Sequence, residues 1–216
     1  MLLSVFTLIK WSYLLPSIIL MTMQLSERAK QLIPKARIVS FATWKNLYSD
    51  RVIAIFQEAD NQSRYLTDED LEQIKNLAPD SSLMLEKARL LREQAPNLVA
   101  DARKKVLAKF PNITEPGNDL YPSERAEACW RDFWHFLRCI TYGIAGNHPQ
   151  FTSQEGLKNM ELLYQELRVP LSAMLCGLEQ LKIVSLQQFN AEVRDLVGIY
   201  FDHLIAGLKQ FSQAIN

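Results

Sequence analysis

Residues 128–143 read ACWRDFWHFLRCITYG, and no other stretch of the chain is as informative about its fold. Ser123 is typical of a residue that begins a helix, and helical periodicity continues from there to about Ile144. One face of this helix carries residues at i, i+3, i+4, i+7 and i+11, namely Cys129, Asp132, Phe133, Phe136 and Ile140. A thiol and a carboxylate therefore share a face with aromatic and aliphatic side chains. For a cysteine taken alone, core packing is the commoner role.

Helical periodicity also dominates outside this stretch, and strand signals are scarce. Thr67-Asp68-Glu69-Asp70 combines an N-cap residue with acidic residues and predicts the start of a helix. A helix over 81–95 is expected to stop at Pro96, and a separate helix is expected over 97–110. About eight helices in one unit favour an all-α, globin-like helical domain.

The composition is that of an ordinary globular protein, with 48% hydrophobic and 22% charged residues among 216. A net charge of zero and a pI near 6.8 argue against nucleic-acid binding, which needs a basic surplus. Three cysteines form no disulfide framework and suggest a reducing compartment. Because no C-x-x-C pair occurs, a structural zinc site is not expected.

The hydrophobic segment 1–23 has two interpretations. Its apolar run from Leu2 to Leu20 could just cross a bilayer, which leaves a membrane anchor and membrane contact open. Lys10 would then lie near the membrane centre, where a charge is costly. We favour a start codon assigned too early, with Met21 or Met23 as the true beginning. Residues 24–66 are interpreted as an N-terminal helical arm, with a break at Pro34, and residues 67–216 as the domain.

The stretch 128–143 resembles the chromophore helix of phycobiliproteins, which follows the pattern Ala-x-Cys-Leu-Arg-Asp, Leu-Arg, Thr-Tyr-Gly/Ala. The residues in register are Cys129, Arg131, Asp132, Leu137, Arg138, Thr141, Tyr142 and Gly143. Similar family motifs are matched elsewhere by Asp60, Arg64-Tyr65-Leu66-Thr67, Phe110-Pro111, Pro116-Gly117, Tyr121, Tyr164, Leu167, Val169-Pro170 and Tyr200-Phe201-Asp202. The resemblance covers roughly residues 50–210, and the chain is closer to the allophycocyanin-like type than to phycoerythrin.

Several positions depart from the family pattern. The bulky Trp130 follows the cysteine, and Trp134, His135 and Phe136 stand where the family commonly has Asp and two tyrosines. Asp119 replaces the loop asparagine of β-type subunits. The chain therefore resembles a divergent member of the family.

The resemblance implies a phycocyanobilin-like linear tetrapyrrole bound covalently through a thioether at Cys129. Asp132, on the same helical face, would accept hydrogen bonds from the pyrrole N–H groups and favour the cationic ring system. The resemblance alone assigns Arg131 to a propionate of the pigment, because Arg131 points away from that face. A solvated arginine is the alternative. Cys139 and Cys176 are expected to be core thiols.

A second group of residues is implied at an interface. In the family, an Arg–Tyr pair that matches Arg138 and Tyr142 contacts an Asp on the N-terminal arm of the partner subunit, and Asp60 matches that Asp. We expect Asp60 to lie on a short arm that buries little within its own domain. An intrachain salt bridge is the alternative interpretation.

The resemblance thus implies a light-harvesting or energy-transfer subunit of a phycobilisome-type antenna and not an enzyme. A complementary phycobiliprotein-like subunit and a bilin lyase would be its partners. The expected location is the cytoplasmic or plastid-stromal side of the thylakoid membrane, as a peripheral protein. A pigment-free interaction or regulatory protein with the same scaffold is the alternative.

Overall fold

The computed structural model describes residues 25–212 and contains eight α-helices within them. These are α1 (Glu27–Leu32), α2 (Asp50–Asn61), α3 (Asp68–Leu77), α4 (Ser82–Lys109), α5 (Ser123–Ala145), α6 (Gln154–Glu166), α7 (Leu171–Leu186) and α8 (Ala191–Lys209). Three short 3-10 segments cover Ile33–Lys35, Ala42–Asn46 and Pro79–Ser81. Within the described range, β-type pairing is limited to one antiparallel bridge between Val39 and Thr152. The all-α, globin-like prediction is confirmed.

Polar N-cap residues begin several of the helices. The Thr67 hydroxyl accepts a hydrogen bond from the Asp70 N–H, and the Asp70 carboxylate accepts one from the Thr67 N–H. This capping box begins α3 where the sequence predicts it. Ser153 caps α6 and Asn190 caps α8 in the same manner, so backbone N–H groups without a partner inside the helix are satisfied.

Helix α4 corrects one prediction, because it continues through Pro96 where a break was expected. Proline lacks an N–H and its ring crowds the preceding turn, at a cost of about 3 kcal/mol in a helix interior. A single buried stripe nevertheless runs along both halves of α4, which pack against α5 and α7. The stripe comprises Leu85, Ala88, Leu91, Ala95, Leu98, Ala102 and Val106. Tertiary packing thus outweighs the local penalty, and the exposed Pro96 ring remains on the solvent side.

Helix α5 lies at the centre of the fold, in contact with α4, α7 and α8. A close crossing with α7 is possible because Gly177 has no side chain. A Cβ atom at that position would lie 1.9 Å from the Phe133 ring. The crossing places the aromatic strip of α5 directly against α7.

The N-terminal part of the described chain shares the core of the helices that follow it. Phe41, Trp44 and Phe56 are buried in the same hydrophobic cluster as α5 and α8. The predicted break at Pro34 is confirmed, since α1 ends at Leu32. The domain boundaries at residues 23 and 66 stay predictions, and segment 1–23 lies outside the described residues. Over the described range, no helix is both long and apolar enough to cross a membrane.

Replacing Pro96 by alanine is expected to raise the free energy of unfolding by about 2 kcal/mol. Alanine restores the missing N–H inside α4, although it also makes the unfolded chain more flexible. Urea unfolding followed by circular dichroism measures the change. The neighbouring exposed variant Asn97→Ala is the control and should shift stability by less than about 0.7 kcal/mol. A less stable Pro96→Ala protein would contradict this account of α4.

Candidate functional site

The Cys129 thiol is buried on the face of α5 that was predicted from the sequence, with a residue exposure of 4%. Burial raises its pKa to about 12, and the nearby Asp132 carboxylate adds to that shift. The positive charges of Arg125 and Arg131 act in the opposite direction. The thiol is therefore protonated at neutral pH, and its reaction as a nucleophile requires opening of the site and loss of the proton.

Asp132 lies on the same side of α5 and accepts a hydrogen bond of 2.8 Å from the Tyr164 hydroxyl of α6. Burial raises the pKa of this carboxyl to about 6, while the Tyr164 hydrogen bond and the Arg131 charge oppose the increase. Asp132 thus titrates near physiological pH. Tyr164 was part of a matched motif, but its contact with Asp132 was not predicted.

Arg125 is a residue of this site that the sequence reasoning missed. Its Nε donates to the Asp119 carbonyl at 2.5 Å, and its Nη2 donates to the carbonyls of Leu167 and Arg168. It thereby joins the loop before α5 to the turn after α6, beside Cys129. A positive φ of 51° at Arg168 shows how tight that turn is. Helical spacing could have placed Arg125 at this site, because Arg125 precedes Cys129 by four residues and so lies on the same face of α5.

Arg131 is exposed and lies on another face of α5, as the helical wheel indicated. It lines a groove of about 510 Å³ between α4 and α5, together with Arg103, Trp130 and Trp134. The Arg103 guanidinium stands 5.3 Å from the centre of the Trp130 ring. Cys129 and Asp132 do not line this groove, so Arg131 lies on a different face from those two residues, although its charge still lowers the pKa of both.

The residues predicted at an interface form one buried network within the chain. Arg138 Nη1 donates to Asp60 Oδ1 at 2.9 Å and to the Tyr142 hydroxyl at 2.8 Å. The Tyr142 hydroxyl in turn donates to the Arg64 carbonyl. Arg37 Nη2 donates to Asp60 Oδ2 at 2.5 Å. The Asp60 and Arg138 side chains are only 5% and 8% exposed.

This geometry corrects the expectation that Asp60 lies on an arm that buries little within its own domain. Helix α2 carries Asp60 and places it beside α5, where the buried Arg138 needs a carboxylate partner. In the free chain, the contact is therefore the intrachain salt bridge that was considered as the alternative. The intersubunit role of Asp60, Arg138 and Tyr142 stays a prediction.

Cys139 and Cys176 are both buried free thiols, as predicted. Burial also raises the pKa of Cys139, to about 11. The charges that act on the pKa of Cys139 are those of Arg138, Asp60 and Arg37, and those that act on Cys176 are Lys109 and Glu179. In the described part of the chain, no cluster of three histidine, cysteine or acidic side chains is arranged to hold a metal ion.

Comparison with known proteins identifies the family. The model of the phycobilisome protein family matches residues 54–208. The chain belongs to this family. It is 30% identical over 159 residues to the allophycocyanin beta chain of Thermosynechococcus vestitus, an alignment that covers 74% of this chain and 98% of that relative. It is also 30% identical over 151 residues to the allophycocyanin alpha chain of Cyanophora paradoxa, with coverages of 70% and 94%.

Membership of the phycobilisome protein family confirms the resemblance carried by 128–143 and by the flanking motifs. Identities near 30% to allophycocyanin chains of both types agree with a divergent member. The matched range contains α3 to α8 almost completely and begins within α2. The described residues before 54 are therefore an addition to the part that the family model matches.

Removing the Asp60 carboxylate should destabilise this protein strongly. In Asp60→Ala the buried Arg138 loses its anionic partner, and we expect the free energy of unfolding to fall by about 3 kcal/mol. Urea unfolding measures the loss. The double variant Asp60→Leu/Arg138→Met removes both charges and should be less destabilised than Asp60→Ala alone. A single variant within about 0.5 kcal/mol of the wild type would show that this ion pair is solvated and not buried.

Asp132 should make stability depend on pH in a defined direction. Its folded pKa of about 6 lies above its ordinary value of 3.8, so the folded state holds a proton that the unfolded state has lost. The contribution of Asp132 to the free energy of unfolding is therefore present below about pH 4 and is lost as the pH rises to about 6. Asp132→Asn keeps a hydrogen-bond acceptor for Tyr164 and removes the titration.

The measurement is the difference in unfolding free energy between the wild type and Asp132→Asn at pH 4, 5, 6 and 7. Taking this difference cancels the contribution of His135, whose burial lowers its pKa to about 4 and gives the opposite dependence. We expect the advantage of Asp132→Asn to grow from pH 4 to pH 6 and then to level off. A constant difference would mean that Asp132 is solvated.

Proposed function

We propose that this chain is a light-harvesting subunit that carries one phycocyanobilin-like linear tetrapyrrole, linked by a thioether to Cys129. The observation that carries the proposal is the grouping of Cys129 and Asp132 on one face of α5, inside the range matched by the phycobilisome protein model. A bound bilin would supply the absorption of visible light. We propose no catalytic activity for the chain.

The side chains at the site are of the types that a covalently bound linear tetrapyrrole needs. Cys129 offers a sulfur that can add to a carbon–carbon double bond; the S–C bond forms and the thiol proton ends on the adjacent carbon, so no oxidant is needed. Asp132 offers a carboxylate whose charge favours a protonated pyrrole system, and its pKa near 6 leaves it mainly ionised at pH 7. The apolar residues Phe133 and Phe136 lie on the same face and are buried in the core, so they would hold this face of α5 rigid beneath an attached pigment.

The burial of Cys129 supports a role for a bilin lyase as a partner. The protonated, enclosed thiol reacts slowly by itself, and Arg125 holds the neighbouring loop and turn together. An enzyme that separates this loop and turn would expose the sulfur to water and so remove the burial that raises its pKa, while Arg125 and Arg131 would continue to favour the thiolate. Arg131 remains a proposed partner for a pigment propionate, since its guanidinium is exposed and free to reorient.

We also propose a complementary phycobiliprotein-like subunit as the assembly partner, in a heterodimer that can form larger rings. Asp60, Arg138 and Tyr142 would make their present contacts between subunits if the α2 arm moved to the neighbouring chain. The proposed location is peripheral, on the cytoplasmic or stromal side of the thylakoid membrane.

The enclosed thiol also favours a second candidate, a pigment-free protein that acts by interaction or regulation. Cys129 is 4% exposed, and Asp132 already has a hydrogen-bond donor in Tyr164. A buried cysteine and a satisfied carboxylate are stable without any ligand. Attachment of pigment to the intact chain separates the two candidates.

Cys129→Ala is expected to abolish covalent pigment, whereas Cys139→Ala and Cys176→Ser should retain it, because Cys129 alone among the three thiols adjoins Asp132. Each variant is co-expressed with a source of phycocyanobilin and a lyase, and zinc-enhanced fluorescence is recorded on a denaturing gel. Digestion then identifies the pigmented peptide. Pigment on a peptide without Cys129 would refute the attachment site, and a wild-type chain without pigment would support the pigment-free candidate.

A further inference from the structure

Residues 25–48, which we call the cap, precede the range from residue 54 that the family model matches. The Thermosynechococcus vestitus relative is aligned over 98% of its own length in 159 residues, which leaves almost none of it outside the alignment. That alignment is about as long as the matched range 54–208, and the cap lies outside this range. The cap consists of α1, two 3-10 segments and the chain that joins them.

The cap is packed against the rest of the protein as closely as a core element. Ala29 and Trp44 are fully buried, and Phe41 is 4% exposed. Ser40 N donates to the Phe151 carbonyl at 2.9 Å, and Ser153 N donates to the Ile38 carbonyl at 2.7 Å. These backbone bonds attach the middle of the cap to the segment between α5 and α6.

Two glycines outside the cap create the space in which it lies. A Cβ atom at Gly156 would lie 1.8 Å from the Arg37 carbonyl oxygen, and one at Gly146 would lie 2.2 Å from the Trp44 ring. Neither distance is possible for real atoms, so a side chain at either position requires the cap and the glycine's own segment to move apart. The Tyr48 hydroxyl adds a hydrogen bond of 2.8 Å to the Gly146 carbonyl. The surface under the cap thus fits the cap backbone at Gly156 and the Trp44 ring at Gly146.

The cap also holds the α2 arm on its own domain. Arg37 donates to the Asp60 carboxylate, which is at the same time bound to Arg138. The Phe41 and Trp44 rings stand 5.6 Å and 4.9 Å from the Phe56 ring of α2. Moving α2 away from α5 would therefore require the cap to move as well.

We propose that the cap is an intramolecular lock that keeps the chain monomeric, and that its release lets two copies of the chain exchange their α2 arms. Every copy carries both the arm with Asp60 and the α5 face with Arg138, so exchange between identical chains satisfies both ion pairs with twofold symmetry. The short connection between α2 and α3, residues 62–67, is the hinge. This inference deepens the proposed function by assigning control of association to the cap, and it does not depend on whether pigment is attached.

The test uses the full unpigmented chain and the variants Gly156→Ala and Gly146→Ala, which alter only the surface under the cap. Sedimentation velocity over a range of concentrations measures association. Limited trypsin digestion at Arg37 and Lys45 measures release of the cap. The wild type should be monomeric and resistant at these sites. Each variant should be cleaved there at least about tenfold faster and should form a discrete dimer.

Gly198→Ala is the matched control, because a Cβ atom at that α8 glycine would meet its nearest neighbour at an ordinary 3.6 Å. This variant should behave as the wild type does. Trp44→Ala provides a second way to loosen the cap, should either glycine variant lose its helical circular dichroism spectrum.

The proposal would be overturned by a wild-type chain that is already dimeric, by variants cleaved no faster than the wild type, or by variants with a released cap that remain monomeric. Aggregates without a discrete dimer would also refute arm exchange. Failure of pigment attachment at Cys129 is a separate result, since absorbance reports it and sedimentation of the unpigmented chain does not.

Discussion

The burial of the C-terminal half of α5 is the constraint on which the rest of the structure depends. Every residue from Phe136 to Ala145 is buried, including the charged Arg138 and the polar Thr141. A helix buried on all sides must be covered on all sides, and α4, α7, α8 and the N-terminal segment provide that cover. Because Arg138 cannot remain unpaired there, the position of Asp60, and with it α2, is determined by electrostatics as well as by packing.

The N-terminal half of α5 is buried less completely, and it carries the Cys129 thiol and the Asp132 carboxyl. Cys129 and Asp132 face α6, whereas Trp130 and Arg131 face the groove beside α4. Burial raises the pKa of both the Cys129 thiol and the Asp132 carboxyl, because it disfavours the charged form of each group. While the site is closed, the Cys129 thiol stays protonated and unreactive. Arg125 joins the loop before α5 to the turn after α6 beside this site.

The two ends of α5 therefore differ in what they contact. At one end a thiol lies on the same face as a carboxylate, which is the proposed pigment site, and the other end packs against the chain's own N-terminal segment. The relatives named above match the helical domain but extend little beyond it. In this chain the residues before 54 pack against the C-terminal end of α5, and Asp132 on the thiol face binds Tyr164 of α6.

The sequence by itself determined the helices, the capping box at Thr67, the family and the shared face of Cys129 and Asp132, because each depends on residues a few positions apart. It failed at Pro96, where the packing of α4 outweighed a local penalty. Only the tertiary structure decided that Tyr164 binds Asp132, that Arg125 joins a loop to a turn, and that Asp60 meets Arg138 of its own chain. Those contacts join residues 32, 42 and 78 positions apart, and such distances are set by which surfaces must be buried together and not by local periodicity.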